Sequence, residues 1–333
     1  MKIAVIGDGG WGTALALVLA RNGHAVAVWS PEAAYAEEMN RTRRNPKFLP
    51  GIHLPEPLRF SADPADVLDG AAAAFVVSPS AFVKSVLARF APCVPDGLPV
   101  ASATKGFDPL PPHARISELV AAAWPNAKIA ALSGPSIAPE TARGVPTAVT
   151  IASRDADTAR FFQKLVTSDT FRAYTTDDVI GLELGGALKN VIALAGGIAD
   201  GLGYGANAKA ALITRGMAEI TRLGVALGAR RETFYGLGGI GDLIVTCSSP
   251  SSRNRTVGER LGRGEKIDEI LGGMVQVAEG VCTAPPAMEL ARATGVETPI
   301  IGAVAAILAG EMTAREAVLS LMRREAKDER EGA

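Results

Sequence analysis

Lys2-Ile-Ala-Val-Ile6, Gly7-Asp-Gly-Gly-Trp-Gly12 and Thr13-Ala-Leu-Ala-Leu-Val-Leu-Ala20 follow one another without a gap at the start of the chain. The first stretch is an apolar run of strand length, the second satisfies G-x-G-x-x-G, and the third reads as a buried helix. The hexapeptide alone is weak, because glycine-rich segments arise by chance. A strand before it and a helix after it are the context that a dinucleotide fingerprint requires. In that context Gly7 allows the tight turn, Gly9 lets backbone approach the pyrophosphate, and Gly12 permits close helix–strand packing. The helix start offers N–H groups and a positive dipole end to phosphates.

Outward from this start, short apolar runs alternate with helical patterns, as in a parallel sheet wrapped by helices. Strands are expected at residues 2–6, 25–29, 73–77, 100–103, 129–132 and 148–152, with helices at 13–21, 81–90 and 114–123. Residues 45–55 are too rich in Pro and Gly for regular structure and read as a loop, either beside the cofactor or a plain connector. From about Asp178 the patterns become long and helical, at 179–199, 207–227, 256–261, 284–294 and 300–309. The expected architecture is an α/β Rossmann-type doubly wound domain over residues 1–178. An all-α domain over 179–333 follows, and the lysine-bearing helix that opens it is expected at the junction. The charged tail 323–331 reads as a fraying helix end.

A length of 333 residues suits two domains, and 48% hydrophobic with 21% charged residues suits a globular chain. A net charge of −1 gives no electrostatic case for nucleic acid or an anionic membrane. Cys93, Cys247 and Cys282 are odd in number and far apart, which reads as reduced thiols in the cytoplasm. His24, His53 and His113 are scattered, so neither a zinc site nor a triad is expected, and no metal is called for. No run reaches the roughly 18 uninterrupted apolar residues of a membrane span. Met1–Ile6 meets Gly7 too early for a signal peptide.

Between Glu183 and Asp200, Lys189 is the only charge in a stretch of small and aliphatic residues. Burial there penalises the ammonium, which makes a lysine usable as a general base near neutral pH. The plainer alternative is a lysine that snorkels from a core helix to water. The second strand ends at Trp29-Ser30-Pro31-Glu32, where neither an acid for an NAD ribose nor an arginine for a 2′-phosphate is cleanly placed. Arg41, Arg43, Arg44 and Lys47 follow. Use of both NAD and NADP is therefore expected, with discrimination below about 3 kcal/mol.

Seven further segments extend the pattern. They are Ser102-Ala-Thr-Lys-Gly-Phe107, Leu132-Ser-Gly-Pro-Ser-Ile-Ala138, Gly185-Gly-Ala-Leu-Lys-Asn190 and Gly205-Ala-Asn-Ala-Lys-Ala-Ala-Leu-Ile-Thr-Arg-Gly216. Gly241-Asp-Leu-Ile-Val-Thr-Cys-Ser-Ser249, Ser251-Ser-Arg-Asn-Arg255 and Gln276-Val-Ala-Glu-Gly280 complete them. With the glycine fingerprint, this series closely resembles bacterial NAD(P)-dependent glycerol-3-phosphate dehydrogenase, in order and over nearly the whole chain.

The resemblance implies reversible conversion of sn-glycerol 3-phosphate to dihydroxyacetone phosphate, supplying phospholipid backbones, with NAD or NADP as cofactor. It implies Lys189 as the catalytic proton acceptor, and Lys105, Gly134, Ser136, Lys189, Asp242, Ser252, Arg253 and Asn254 as substrate contacts. Gly7, Gly9, Gly10, Trp11, Gly12, Phe48, Lys105, Ala138, Arg253, Val277 and Glu279 would line the cofactor. The partner is a phosphorylated small molecule, and a homodimer is compatible with it. The residue types suit this chemistry: a base for the hydroxyl proton, a second lysine to repel Lys189's charge and stabilise oxyanion character, and several donors for a phosphate. Asp242 would contact the hydroxyl or orient Lys189; as a plain helix cap it would do neither. Gly134 and Ser136 as turn residues, residues 251–255 as a polar loop and Glu279 as a surface carboxylate are the corresponding plain alternatives.

Three positions depart from the pattern. Pro139 stands where a charged residue is frequent, Asp8 replaces the more usual alanine of the glycine loop, and Ser30-Pro31 lacks a basic residue. A beta-hydroxyacid dehydrogenase is one rival, but it spaces its lysine and asparagine one helical turn apart, whereas Lys189 and Asn190 are adjacent. A non-catalytic dinucleotide-binding redox sensor is the other; it has no need of Lys105, Lys189 and Arg253 together.

Overall fold

In a computed structural model describing residues 1–326, 328 and 329, the first strand and helix, β1 (Lys2–Ile6) and α1 (Gly10–Arg21), adjoin the fingerprint as expected. The chain divides into two compact units, residues 1–108 with 114–179, and residues 109–113 with 180–333. Residues 109–113 thus join the second unit although the sequence groups them with the first.

The first unit holds β2 (Ala25–Trp29), β3 (Arg44–Asn45), β4 (Leu49–His53), β5 (Leu58–Ser61), β6 (Ala71–Val76), β7 (Pro99–Ser102), β8 (Lys128–Ser133), β9 (Thr147–Ala152) and β10 (Phe171–Thr176). Its other helices are α2 (Ala33–Thr42), α3 (Pro64–Leu68), α4 (Ser80–Phe90), α5 (Ile116–Ala123), α6 (Ala138–Ala142) and α7 (Ala156–Val166). Eight strands form one sheet in the order β10-β9-β8-β7-β6-β1-β2-β5, parallel except for the β8–β9 pair. The chain leaves β1 towards β2 and β5 on one side, then returns to build β6 and β7 on the other. The β1–β6 border is therefore the topological switch point, where doubly wound sheets bind ligands. Side chains buried on both faces, including Ile3, Val5, Val28 and Phe75 on one and Ala4, Ile6, Val76 and Val100 on the other, explain the uninterrupted apolar strands. Each such side chain contributes about 1.5–3 kcal/mol by leaving water.

One expectation is overturned. Residues 44–53 are not irregular but contain an antiparallel hairpin, β3 against β4, with Arg44 opposite His53 and Asn45 opposite Leu49. Pro50 and Gly51 lie within β4, and Gly51 takes φ +80°, a left-handed conformation that suits glycine. A two-stranded ribbon can hold a proline on an unpaired edge, which a central strand cannot. Strands β5 and β10 were also not anticipated.

The second unit contains α8 (Val179–Gly201, from Ile180), α9 (Ala206–Ala226), α10 (Asp242–Ser248), α11 (Arg253–Gly262), α12 (Ile267–Gly272), α13 (Glu279–Thr294), α14 (Pro299–Leu308) and α15 (Ala314–Met322). Helix α8 is long and apolar enough to cross a membrane by length and composition, but 94% of that window is buried inside the protein, as in a core helix. Helix α13 starts earlier than expected and runs through Pro285 and Pro286. The tail begins at Arg323, the C-cap of α15; Lys327, Arg330 and Glu331 lie outside the described residues.

Candidate active site

Within the first unit, the glycine loop lies between the ends of β1 and β6. Gly7 has φ +131°, and a Cβ there would stand 2.9 Å from the Val77 carbonyl oxygen. A Cβ on Gly12 would meet the Gly7 oxygen at 2.0 Å, so a methyl group cannot enter without parting helix and strand. Above Gly9 there is nothing within 4 Å, and Gly9 caps α1 without any side chain. This open backbone at a helix N-terminus is what a pyrophosphate needs. The indole Nε1 of Trp11 is buried with no hydrogen-bond partner, a donor suited to a ligand.

The hairpin is fastened to this loop through Asn45, which is fully buried. Its Nδ2 donates to the Asp8 carbonyl at 2.7 Å and to Thr13 Oγ1 at 2.8 Å, while its Oδ1 accepts from Tyr35 Oη at 2.7 Å and Phe48 N at 3.0 Å. Phe48 consequently lies over Gly10, whose hypothetical Cβ would be 2.7 Å from the Phe48 carbonyl oxygen and 3.8 Å from Ala138 Cβ. Gly10, Phe48 and Ala138 thus converge from three segments. Pro139 sits in the first turn of α6, where its missing N–H costs nothing.

At the end of β2, Ser30 Oγ donates to Asp8 Oδ2 at 2.6 Å. Burial raises the Asp8 pKa, with the Ser30 hydrogen bond opposing. Lys47 Nζ lies 3.0 Å from Glu32 Oε1 and over the rings of Tyr35 and Phe48. Arg43 spends its guanidinium on the carbonyls of Leu54, Pro55 and Leu58, so Lys47, rather than Arg43, is the cation at this edge. Past β7, Lys105 Nζ donates to the Gly134 carbonyl at 3.0 Å and to Ser136 Oγ at 3.3 Å, joining three of the sequence candidates.

Within the second unit, Lys189 is 5% exposed and its Nζ donates to Asp242 Oδ1 at 2.6 Å and to Thr246 Oγ1 at 2.7 Å. Asp242 is 1% exposed. The lysine does not snorkel. Desolvation opposes its charge and the carboxylate favours it, so the ammonium is held in place by a partner on another helix. The placement follows from glycine packing: a Cβ on Gly185 of α8 would be 2.6 Å from the Gly238 carbonyl oxygen. Residues Leu237–Gly241 form a π turn that delivers Asp242 into α10. Thr246, one turn after Asp242, was missed in the sequence; its position four residues on was the available signal.

Ser252 caps α11, its Oγ accepting from Arg255 N. Asn254 is buried and committed on both sides: its Nδ2 donates to Asn190 Oδ1 at 2.9 Å, and its Oδ1 accepts from Gly280 N at 2.8 Å. It thereby ties α8 to α11 and α13. Arg253, at the first position of α11, is exposed. Desolvation by neighbouring atoms pulls its pKa down and Glu279 pushes it back up. Val277 and Glu279 lie at the start of α13. A cavity of about 330 Å³ lined by Ala199, Leu212, Ile300 and Val304 includes neither Lys189 nor Asp242 in its lining.

Comparison with known proteins matches residues 2–159 to the NAD-dependent glycerol-3-phosphate dehydrogenase N-terminus and residues 178–319 to the C-terminus of the same enzyme. The chain belongs to this family. A glycerol-3-phosphate dehydrogenase [NAD(P)+] of Syntrophotalea carbinolica is 48% identical over 331 residues, covering 99% of each chain. That of Geobacter sulfurreducens is 49% identical over 332 residues, again covering 99% of each. Among solved structures, the Coxiella burnetii glycerol-3-phosphate dehydrogenase is 38% identical with a TM-score of 0.93, covering 97% of this chain and 99% of that one. Membership in the NAD-dependent glycerol-3-phosphate dehydrogenase family accords with a strand–glycine loop–helix start to the chain.

Proposed function

We propose that the chain interconverts sn-glycerol 3-phosphate and dihydroxyacetone phosphate with NAD(H) or NADP(H), and that Lys189 carries the proton. The observation that carries this reading is the buried cluster of Lys189, Asp242 and Thr246. A proton carrier must present one nitrogen in one place, and two acceptors on α10 hold Nζ there. When bound, the nicotinamide supplies or accepts the hydride. Lys189 Nζ donates its proton to the alkoxide oxygen in the reducing direction and takes it back in the other. Asp242 stabilises the protonated form, and Thr246 restricts its direction.

The phosphate is assigned to the first turn of α11. Arg253 contributes a charge-assisted donor, and the helix start adds backbone N–H groups that favour an anion. Ser252 shapes that turn, while Asn254 positions it rather than reaching outward. Lys105 with Gly134 and Ser136 forms the remaining polar group of the substrate set. Gly7, Gly9, Gly10, Trp11, Gly12, Phe48 and Ala138 would hold the dinucleotide, with Val277 and Glu279 at its other contacts. Widely spaced free cysteines support a cytoplasmic setting, with the product feeding phospholipid synthesis, and light scattering tests a homodimer.

Purified protein mixed with dihydroxyacetone phosphate and either NADH or NADPH should consume the reduced nicotinamide, followed by absorbance. Consumption with unphosphorylated oxo acids but not with dihydroxyacetone phosphate would overturn the assignment.

A further inference from the structure

Asp8 stands inside the glycine loop, and its surroundings give it a task. Its carboxylate is held under the end of β2 by the fully buried Ser30, at an Oγ–Oδ2 separation of 2.6 Å. That is the length of a charge-assisted O–H···O⁻ bond. The alternative acceptor for the Ser30 proton, the Glu32 carbonyl, is 3.4 Å away. A serine hydroxyl has one proton, so Asp8 takes it on Oδ2; the Asp8 backbone N–H also acts on the carboxylate, whose two oxygens have lone pairs for a further donor. Asp8 is 7% exposed, and Lys47 and Glu32 are the charged groups that act on it.

In a doubly wound sheet the adenosine ribose lies over the end of the second strand, and an acid there accepts its 2′-hydroxyl. Here β2 ends without one at its tip, and Glu32 is drawn away to Lys47. We infer that Asp8 takes the place of that acid, favouring the unphosphorylated ribose of NAD(H) and disfavouring the 2′-phosphate of NADP(H). A ribose hydroxyl has a proton to offer this carboxylate. A 2′-phosphate brings negative charge towards two carboxylates, with Lys47 as the opposing cation. The inference rests on dinucleotide binding at Gly7–Gly12, and places the preference on the NADH side of the near-equal use expected from Ser30-Pro31.

The test is equilibrium binding, without substrate. Dissociation constants for NADH and NADPH are measured by nicotinamide fluorescence on the native protein, Asp8→Asn and Asp8→Ala. Competition by adenosine 5′-monophosphate and adenosine 2′,5′-bisphosphate isolates the ribose end. The native protein should bind NADH more tightly. Both variants should shift the NADPH-to-NADH affinity ratio towards NADPH by about tenfold, the order of one charge-assisted contact. Asp8→Asn keeps the shape and a partner for Ser30, so it serves if the alanine variant does not fold. An unchanged ratio in Asp8→Asn, or tighter NADPH binding by the native protein, overturns the role of Asp8 while leaving the dehydrogenase reading intact. Failure of the native protein to bind either nucleotide overturns that reading instead.

Discussion

Replacing Lys189 by Met, Asp242 by Asn, and both together separates the structural work of this pair from its chemical work. The two groups are 7% and 1% exposed at the side chain and 2.6 Å apart, so removing either takes this ion-pair partner from a buried charge. Such a loss costs about 3–5 kcal/mol. For a unit of this size each kcal/mol moves the melting temperature by roughly 2–4 °C, so each single variant should lose about 6–20 °C. The double variant removes both charges from a site of nearly unchanged volume and should regain most of that loss. Turnover should behave differently. Every variant without Lys189 should be slower by about 10²–10⁴-fold, because no proton carrier replaces Nζ. Calorimetry and the consumption of NADH with dihydroxyacetone phosphate read the two effects, with NADH affinity as a check on the glycine loop. Near-native turnover by the stable double variant would refute the assignment of the proton to Lys189. Unchanged melting in both single variants would refute the burial argument.

Three further outcomes are expected. Arg253→Ala should raise the KM for dihydroxyacetone phosphate far more than for unphosphorylated dihydroxyacetone, and equal effects on both would remove Arg253 from the phosphate. Gly9→Ala should melt like the native protein yet bind NADH more weakly, since its methyl enters open space where the pyrophosphate belongs; Gly12→Ala, with 2.0 Å to the Gly7 oxygen, should destabilise the fold itself. Glu219 accepts from the N–H groups of Ile300 and Ile301 at the start of α14, but burial raises its pKa from 4.5 to about 7. Between those values the folded chain binds more protons than the unfolded one, so stability should fall by about 3 kcal/mol as pH rises from about 4.5 to 7 and level off above. Melting curves of Glu219→Gln across that window should lack this component, and a slope identical to the native one would rule it out.

The elements legible in the sequence are those decided by neighbours along the chain. A period of two or of 3.6, a glycine that only a tight turn can use, and a lone charge in an apolar helix are local signals. They sufficed for β1, β2, α1, α8 and α9, for the strand–turn–helix around Gly7–Gly12 and for the burial of Lys189. Residues 44–53 show where local reasoning fails. Pro50 and Gly51 argue for a loop, yet Asn45 is buried against Asp8 and Thr13, more than thirty positions away, and that anchor holds the ribbon.

The partners within the site were likewise set by packing. Asp242 reaches Lys189 across 53 residues because Gly185 lets α8 approach the Gly238 carbonyl and Gly238 makes room for the Leu182 side chain, and Thr246 arrives with Asp242 on the same helix. Asp8 meets Ser30 across 22 residues because β1 and β2 are adjacent strands of one sheet. Sequence by itself determined which residue types stand where: a glycine-rich loop between a strand and a helix, a lone lysine in an apolar helix, and an arginine among serines and an asparagine at residues 251–255. Only the tertiary structure decided which of them are held, by what and at what distance, because hydrogen bonds of 2.6 Å depend on long-range packing that no local pattern encodes.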